Sequence, residues 1–186
     1  MGALAISGPD EVSGTGLTVI PLGLRHAIES GECVLFVGAG IGKNVRGPDG
    51  RVGPDGETLA KELADHFGIP TGENYDLARV AEVVESRKGR STLEAFLKQR
   101  LSHLEPDESL CWLFSLKWKA IFTTNYDAVI ERAYDRNPSP PQQPRTFSLT
   151  RDLIPLDPRF DVPVYHLHGA LFGSEEAAII ITQSDY

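Results

Sequence analysis

Hydrophobic and polar positions along this chain change period several times, and each change marks an element. After Pro21, the residues Leu22, Leu24, Ala27 and Ile28 recur at helical spacing up to Gly31, which predicts a short amphipathic helix opened by proline and closed by glycine. Cys33-Val34-Leu35-Phe36-Val37 is an unbroken apolar run between Gly31 and Gly38. A run that short predicts a parallel strand covered on both faces. Residues 43–56 hold two Gly/Pro/Asp clusters, Arg46-Gly47-Pro48-Asp49-Gly50 and Gly53-Pro54-Asp55-Gly56, which predict a long loop. Residues 57–67, 75–88 and 92–104 then place apolar side chains three and four apart, as in Leu93, Phe96, Leu97 and Leu101, predicting three helices in succession.

Strands return at 118–123, where Ala120, Ile121 and Phe122 lead into Thr123-Thr124-Asn125, and at 162–167 and 177–182. Between the first two of these, Ala128, Val129, Ile130 and Ala133 predict a helix ending before Asn137-Pro138. Strands alternating with helices imply an α/β fold with a largely parallel sheet and a helical insertion, whose ligands bind beyond the carboxyl ends of the strands.

Composition narrows the class. With 186 residues, 41% of them hydrophobic, the chain can bury one core of ordinary domain size. Residues 1–18 are mostly small, polar or glycine and read as a flexible tail, leaving 19–186 as the domain. Eighteen Lys and Arg against 26 Asp and Glu give a formal charge of −8, which opposes binding to a phosphate backbone, so no nucleic-acid partner is expected. Two cysteines, Cys33 and Cys111, supply neither a disulfide framework nor a zinc module and read as core residues. No apolar run approaches the roughly 20 residues of a membrane span, so a cytoplasmic location is expected. Trp112 and Trp118 read as packing anchors, and Glu82, Glu85, Arg87, Lys88 and Arg90 as a solvated helix face.

Three motifs sit at strand ends. Gly38-Ala39-Gly40-Ile41-Gly42 follows the first strand, where backbone N–H groups bare of Cβ atoms could approach a pyrophosphate. It departs from both standard nucleotide loops: the dinucleotide fingerprint needs glycine at Lys43, and the Walker spacing needs glycine at Val37 and Ser or Thr at Asn44. An unliganded strand-exit turn fits these glycines as well. Thr123-Thr124-Asn125-Tyr126-Asp127 follows the second strand, and its Asn and Asp suit either a binding crevice or a helix N-cap. His166-Leu167-His168-Gly169 ends the third, where alternation would put His166 and His168 on one face. His168 there suits a general base, a metal ligand or a hydrogen-bonded core residue, with a base favoured because Gly169 leaves room for a ligand without adding one.

Taken in order, Gly38-Ala39-Gly40-Ile41, Thr123-Thr124-Asn125-Tyr126-Asp127, Leu167-His168-Gly169 and Ile181-Thr182-Gln183-Ser184-Asp185-Tyr186 resemble the sirtuin-like family in its bacterial NAD-hydrolase branch, over about 33–186. The resemblance implies a Rossmann-like, sirtuin-like domain with NAD+ as substrate, and Gly38, Ala39, Gly40, Ile41 and Thr124 binding it. It further implies Asn125 and Asp127 at the nicotinamide ribose and carboxamide, and His168 beside the ribose hydroxyls. Sirtuin deacylases carry a four-cysteine zinc module after the His-Gly motif, whereas both cysteines here precede His168, so no zinc is expected. The family's sheet continues past the Asp-Tyr pair, which leads us to expect that 19–186 is truncated at its C-terminal end. By the same resemblance the activity expected is an NAD+ glycohydrolase, the effector of a bacterial anti-phage system, forming a homo-oligomer and controlled by a fused or separate sensor or activator. A non-catalytic NAD or ADP-ribose sensor, or an NAD-dependent deacylase or ADP-ribosyltransferase, are the alternatives.

Overall fold

A computed structural model describes residues 20–70, 76–148, 155–172 and 179–186. The expected tail lies outside the described residues. The helix after Pro21 forms as α1 (Leu22–Glu29), and the apolar run forms β1 (Val34–Val37). The next strands of the main sheet are β4 (Ala120–Thr123), β5 (Gln143–Phe147) and β6 (Asp161–His166), and the sheet order is β1-β4-β6-β5 with every pairing parallel. The long crossover from β1 to β4 contains a two-stranded ladder of β2 (Val45–Arg46) and β3 (Glu105–Pro106), and the helices α2 (Gly56–Phe67), α3 (Leu77–Lys88), α4 (Arg90–Leu101) and α5 (Glu108–Leu113). After β4 comes α6 (Val129–Asp135). This is the parallel α/β sheet with a helical insertion that the alternation of periods implies.

Local chemistry starts each inserted helix. The Asp55 carboxylate accepts the Thr58 N–H at the start of α2, Asp76 accepts those of Ala78 and Arg79 at the start of α3, and Asp107 accepts that of Leu110 at the start of α5. Gly68, at φ 62°, ends α2 in the left-handed conformation that glycine tolerates. The apolar stripes of these helices, Leu63 of α2, Val84 of α3 and Leu93 and Leu97 of α4, are fully buried with Ile121 of β4 and Val129 of α6. The insertion thus shares one core with the sheet rather than forming a separate body.

Several expectations need correction. β1 is covered on one face only: Val37 is buried, whereas Val34 and Phe36 are 54% and 64% exposed. Among the described residues it pairs with one strand, β4, and the buried helices gather on the side of Val37 and Ile121. On the other side Phe36, Phe122, Tyr165 and Phe147 stand at one level across all four strands, with Phe122, Tyr165 and Phe147 stacked at centroid distances of 4.9 and 5.2 Å. Of the strand expected over 177–182, only 179–182 lies within the described residues, and it forms no strand; Ile179 and Ile181 are buried, and Thr182 caps a 3-10 turn at Gln183–Asp185. Trp118 is the anchor expected, buried with its indole N–H on the Leu113 carbonyl, but Trp112 is 59% exposed on the outer side of α5.

The loop over 43–56 is more ordered than its composition implies. Val45 is buried, Arg46 bridges to Val52, and Gly42 and Gly53 pass backbone against backbone. A Cβ on Gly42 would stand 3.0 Å from the Gly53 carbonyl oxygen and 3.3 Å from that of Pro54. Because backbone cannot swing aside as a side chain can, Gly42→Ala should cost about 1–3 kcal/mol of local stability. Limited proteolysis should then cut between Arg46 and Gly56 faster than in the wild type, while the melting of the helical core changes little.

Candidate active site

The three motifs converge because β1, β4 and β6 are neighbours and end at the same level. Phe36 pairs with Phe122 and Val37 with Thr123, which in turn pairs with His166. Beyond these ends the chain leaves the sheet at Gly38, Thr124 and Leu167, and a cleft of about 210 Å³ opens there. Ala39, Ile41, Thr124, Asn125, Asp127 and His168 all line it. Gly38 and Gly40 do not: Gly40 has open space around it, and Gly38 serves the wall from behind by accepting the Asn125 amide Nδ2–H at 3.4 Å. The opposite wall comes from the insertion, with Leu59, Leu77, Leu101 and Leu104 joining the Gly53–Gly56 turn. Arg46 and Arg51 stay away from it, Arg46 on the Lys43 and Val45 carbonyls and Arg51 on Asp49.

Asn125 is held from several sides. Its N–H donates to the buried Thr123 hydroxyl at 3.0 Å, its side-chain amide reaches Gly38, and its carbonyl lies 2.9 Å from His166 Nδ1. Asp127 combines the two readings its residue type allows. One carboxylate oxygen accepts the Val129 N–H at 3.0 Å at the start of α6, as a cap would, and the residue still lines the cleft. Burial pushes its pKa above the ordinary carboxylate range, outweighing the Val129 N–H and the charge of His166, which both lower it.

The two histidines separate. β6 ends at His166, and Gly169, at φ 81°, donates its N–H to the His166 carbonyl to close a turn. Strand alternation therefore does not extend to His168: His166 points into the core at 2% exposure, and His168 faces the cleft. Partial burial lowers the His168 pKa below its usual value, so the imidazole is neutral at pH 7 and able to accept a proton. Among the described residues no group of three or more His, Cys, Asp or Glu is placed to hold a metal, and Cys33 and Cys111 are free thiols packed against the core.

Several residues to which sequence reasoning gave no role at the site also shape it. Tyr186 lies edge-on to His168, with centroids 5.5 Å apart and its hydroxyl 3.4 Å from Nε2. Tyr126 is buried and donates to the Ile180 carbonyl at 2.7 Å. The segment bearing Tyr186 is strapped to the insertion: Asp185 accepts the Ile181 and Thr182 N–H groups and pairs with Arg90 at 3.0 Å, Arg90 also reaches the Ile179 carbonyl, and Glu82 binds Ser184. These contacts hold the Asp185 pKa at about 2, against burial that would raise it. The charged face of α3 and α4 is thus a clasp for the segment that carries Tyr186, and not merely solvated. Only the folded chain places Glu82 and Arg90 beside residues about a hundred positions away.

A neutral imidazole and a fixed amide, with Asp55 and Asp127 both engaged at helix starts, differ from the opposed carboxylates of sugar hydrolases. The arrangement suits a bond whose leaving group departs without needing a proton. Residues 119–186, which include β4, β6, Asn125, Asp127, His168 and Tyr186, match the SIR2-like domain family. Over 167 residues the chain is 29% identical to the NAD(+) hydrolase ThsA of Enterococcus faecium, an alignment covering 87% of this chain and 32% of that protein. The chain therefore spans about a third of the length of that relative. No described helix is long and apolar enough to cross a membrane. Residues 119–186 are thus similar in sequence to the SIR2-like family, and the parallel sheet that brings the strand-end motifs to one cleft is consistent with a sirtuin-type, Rossmann-like fold.

Proposed function

We propose that this chain carries the NAD+-cleaving site of an NAD+ glycohydrolase, which releases nicotinamide and leaves ADP-ribose. The observation that supports this most is the meeting of neutral His168 with Asn125 and Asp127 in one cleft at the ends of β4 and β6, within the region that is SIR2-like. Nicotinamide in NAD+ is cationic when attached and neutral when it departs. Its glycosidic bond can break through an oxocarbenium-like transition state without an acid to protonate the leaving group, so one base and good positioning suffice. In this reading His168 accepts a proton from a ribose hydroxyl or the attacking water, Asn125 orients that water and the ribose, and Asp127 fixes the carboxamide. Ala39, Ile41 and Thr124 line the part of the cleft that would take the phosphate side, with Gly38 and Gly40 supplying the turn behind them.

The same reading sets the enzyme in the cytoplasm as a homo-oligomeric effector of bacterial anti-phage defence, silent until a fused or separate sensor engages it. Zinc has no part in the proposed chemistry. The deciding experiment is nicotinamide release from NAD+ by the full-length protein containing this chain, with ADP-ribose measured as the second product. Equal amounts of the two products, with no acylated peptide or acceptor protein present, are the expected result. NAD+ binding without release, both alone and during phage infection, would overturn the hydrolase in favour of a sensor.

A further inference from the structure

Beside Asn125 lies a histidine–glutamate pair that the reaction scheme above does not use. His166 is 2% exposed at the end of β6, and both of its ring nitrogens face oxygen acceptors. Nδ1 is 2.9 Å from the Asn125 backbone carbonyl, and Nε2 is 3.2 Å from Glu131 Oε1 on α6. A carbonyl can only accept, and an ionised carboxylate can only accept, so satisfying both contacts requires a proton on each nitrogen. The Thr146 hydroxyl of β5 donates to the same Glu131 oxygen at 2.6 Å, fixing the carboxylate from the far side, and the Phe172 ring stands edge-on to the imidazole at 5.2 Å. The other charged group facing His166 is Asp127, from the loop before α6.

We infer that His166 is a positioning residue: as an imidazolium held by Glu131, it ties down the Asn125 carbonyl and so fixes the loop that presents Asn125 and Asp127 to the cleft. This rests on the proposed hydrolase for its catalytic consequence, though not for the charge itself. Burial alone would pull the His166 pKa down, yet the hydrogen bond and charge of Glu131, the Asn125 carbonyl and Asp127 together carry it above the ordinary value. Among the described residues the second oxygen of Glu131 is buried without a hydrogen-bond partner, which leaves the imidazolium and the Thr146 hydroxyl as the contacts there that settle this carboxylate. The chain of contacts joins three elements of the fold, β5, α6 and β6, to the Asn125 backbone carbonyl.

The test uses Glu131→Gln in the full-length protein, a change that keeps the side-chain volume and removes the charge. Without the carboxylate His166 should lose its second proton near neutral pH. The loss of kcat should therefore grow with pH, from near parity at the acid end of the active range to about tenfold or more at pH 8, with KM changed less. A merely structural contact would give a loss that does not vary with pH, and that result overturns the inference. Imidazole nitrogen shifts, assigned with His166→Gln, should show both His166 nitrogens protonated at pH 7 in the wild type; a neutral ring there also overturns it. If the wild type releases no nicotinamide either alone or during phage infection, the hydrolase reading fails by itself, and amide exchange over 125–127 decides the positioning role. Exchange in Glu131→Gln that exceeds the wild type more at pH 8 than at pH 6 supports it, and equal exchange in the two proteins overturns it.

Discussion

His168→Ala should lower nicotinamide release by the full-length protein by at least about 100-fold, the usual scale of a lost general base. The side chain lines the cleft, has no carboxylate hydrogen-bonded to it among the described residues, and is neutral at pH 7 because partial burial disfavours its charged form. The sign of its pH dependence follows. In the proposed scheme the neutral imidazole is the active form, and its pKa lies below the ordinary 6.5, so activity should be flat through neutrality and fall only as the pH drops below that value. Asn125→Ala should produce a loss of similar size by a different route, since it removes an orienting amide and its bond to Gly38 while leaving His168 in place. NAD+ affinity measured by calorimetry separates the two: it should be nearly unchanged in His168→Ala and weakened in Asn125→Ala. Nicotinamide release at the wild-type rate by either variant removes that residue from the mechanism.

The largest effect on stability should come from Leu97→Ala, at about 2–5 kcal/mol in chemical denaturation. Leu97 is fully buried on the inner face of α4, in the cluster it shares with Leu63 and Val84, where a close-packed core relaxes only partly around a lost side chain. Leu101, one turn on, is also buried but lies on the cleft wall. Leu101→Ala should therefore be destabilising to a smaller extent and should additionally raise KM for NAD+, whereas Leu97→Ala should alter stability with KM unchanged at a temperature where it remains folded. A Leu97→Ala protein melting within about 1 °C of the wild type would mean that the helical insertion does not share the core of the sheet.

Much of this was legible in local pattern. The 3.6-residue period over 57–67 and 92–104 and the short apolar runs at 33–37 and 118–123 each report how one element buries itself, and they correspond to α2, α4, β1 and β4. Elements without such a signature were passed over. β5 reads Gln-Pro-Arg-Thr-Phe and takes its place at the sheet edge, where proline is tolerated because only one side of the strand must be hydrogen-bonded. β2 and β3 are two residues each and exist only because positions about sixty apart meet. Conversely, the apolar run of β1 overstated its own burial, since an apolar sequence records a capacity to be covered and not the presence of a cover.

The site divides in the same way. Glycines, Asn125, Asp127 and His168 stand out because each follows a predicted strand, and a parallel sheet gathers the carboxyl ends of its strands on one side. Sequence by itself therefore determined the α/β class and the strand ends that meet at the cleft, with Ala39, Ile41, Thr124, Asn125, Asp127 and His168 among its lining. Only the tertiary structure decided that His166 points inward to Asn125 and Glu131 while His168 points outward, that Gly42 must pass beside Gly53, and that Arg90 and Glu82 clasp the segment bearing Tyr186. The physical reason is range. Periodicity and turn chemistry act over a few residues and leave their trace in the local sequence, whereas a buried charge, a backbone crossing or an ion pair between distant helices is defined by partners that only the completed fold brings together.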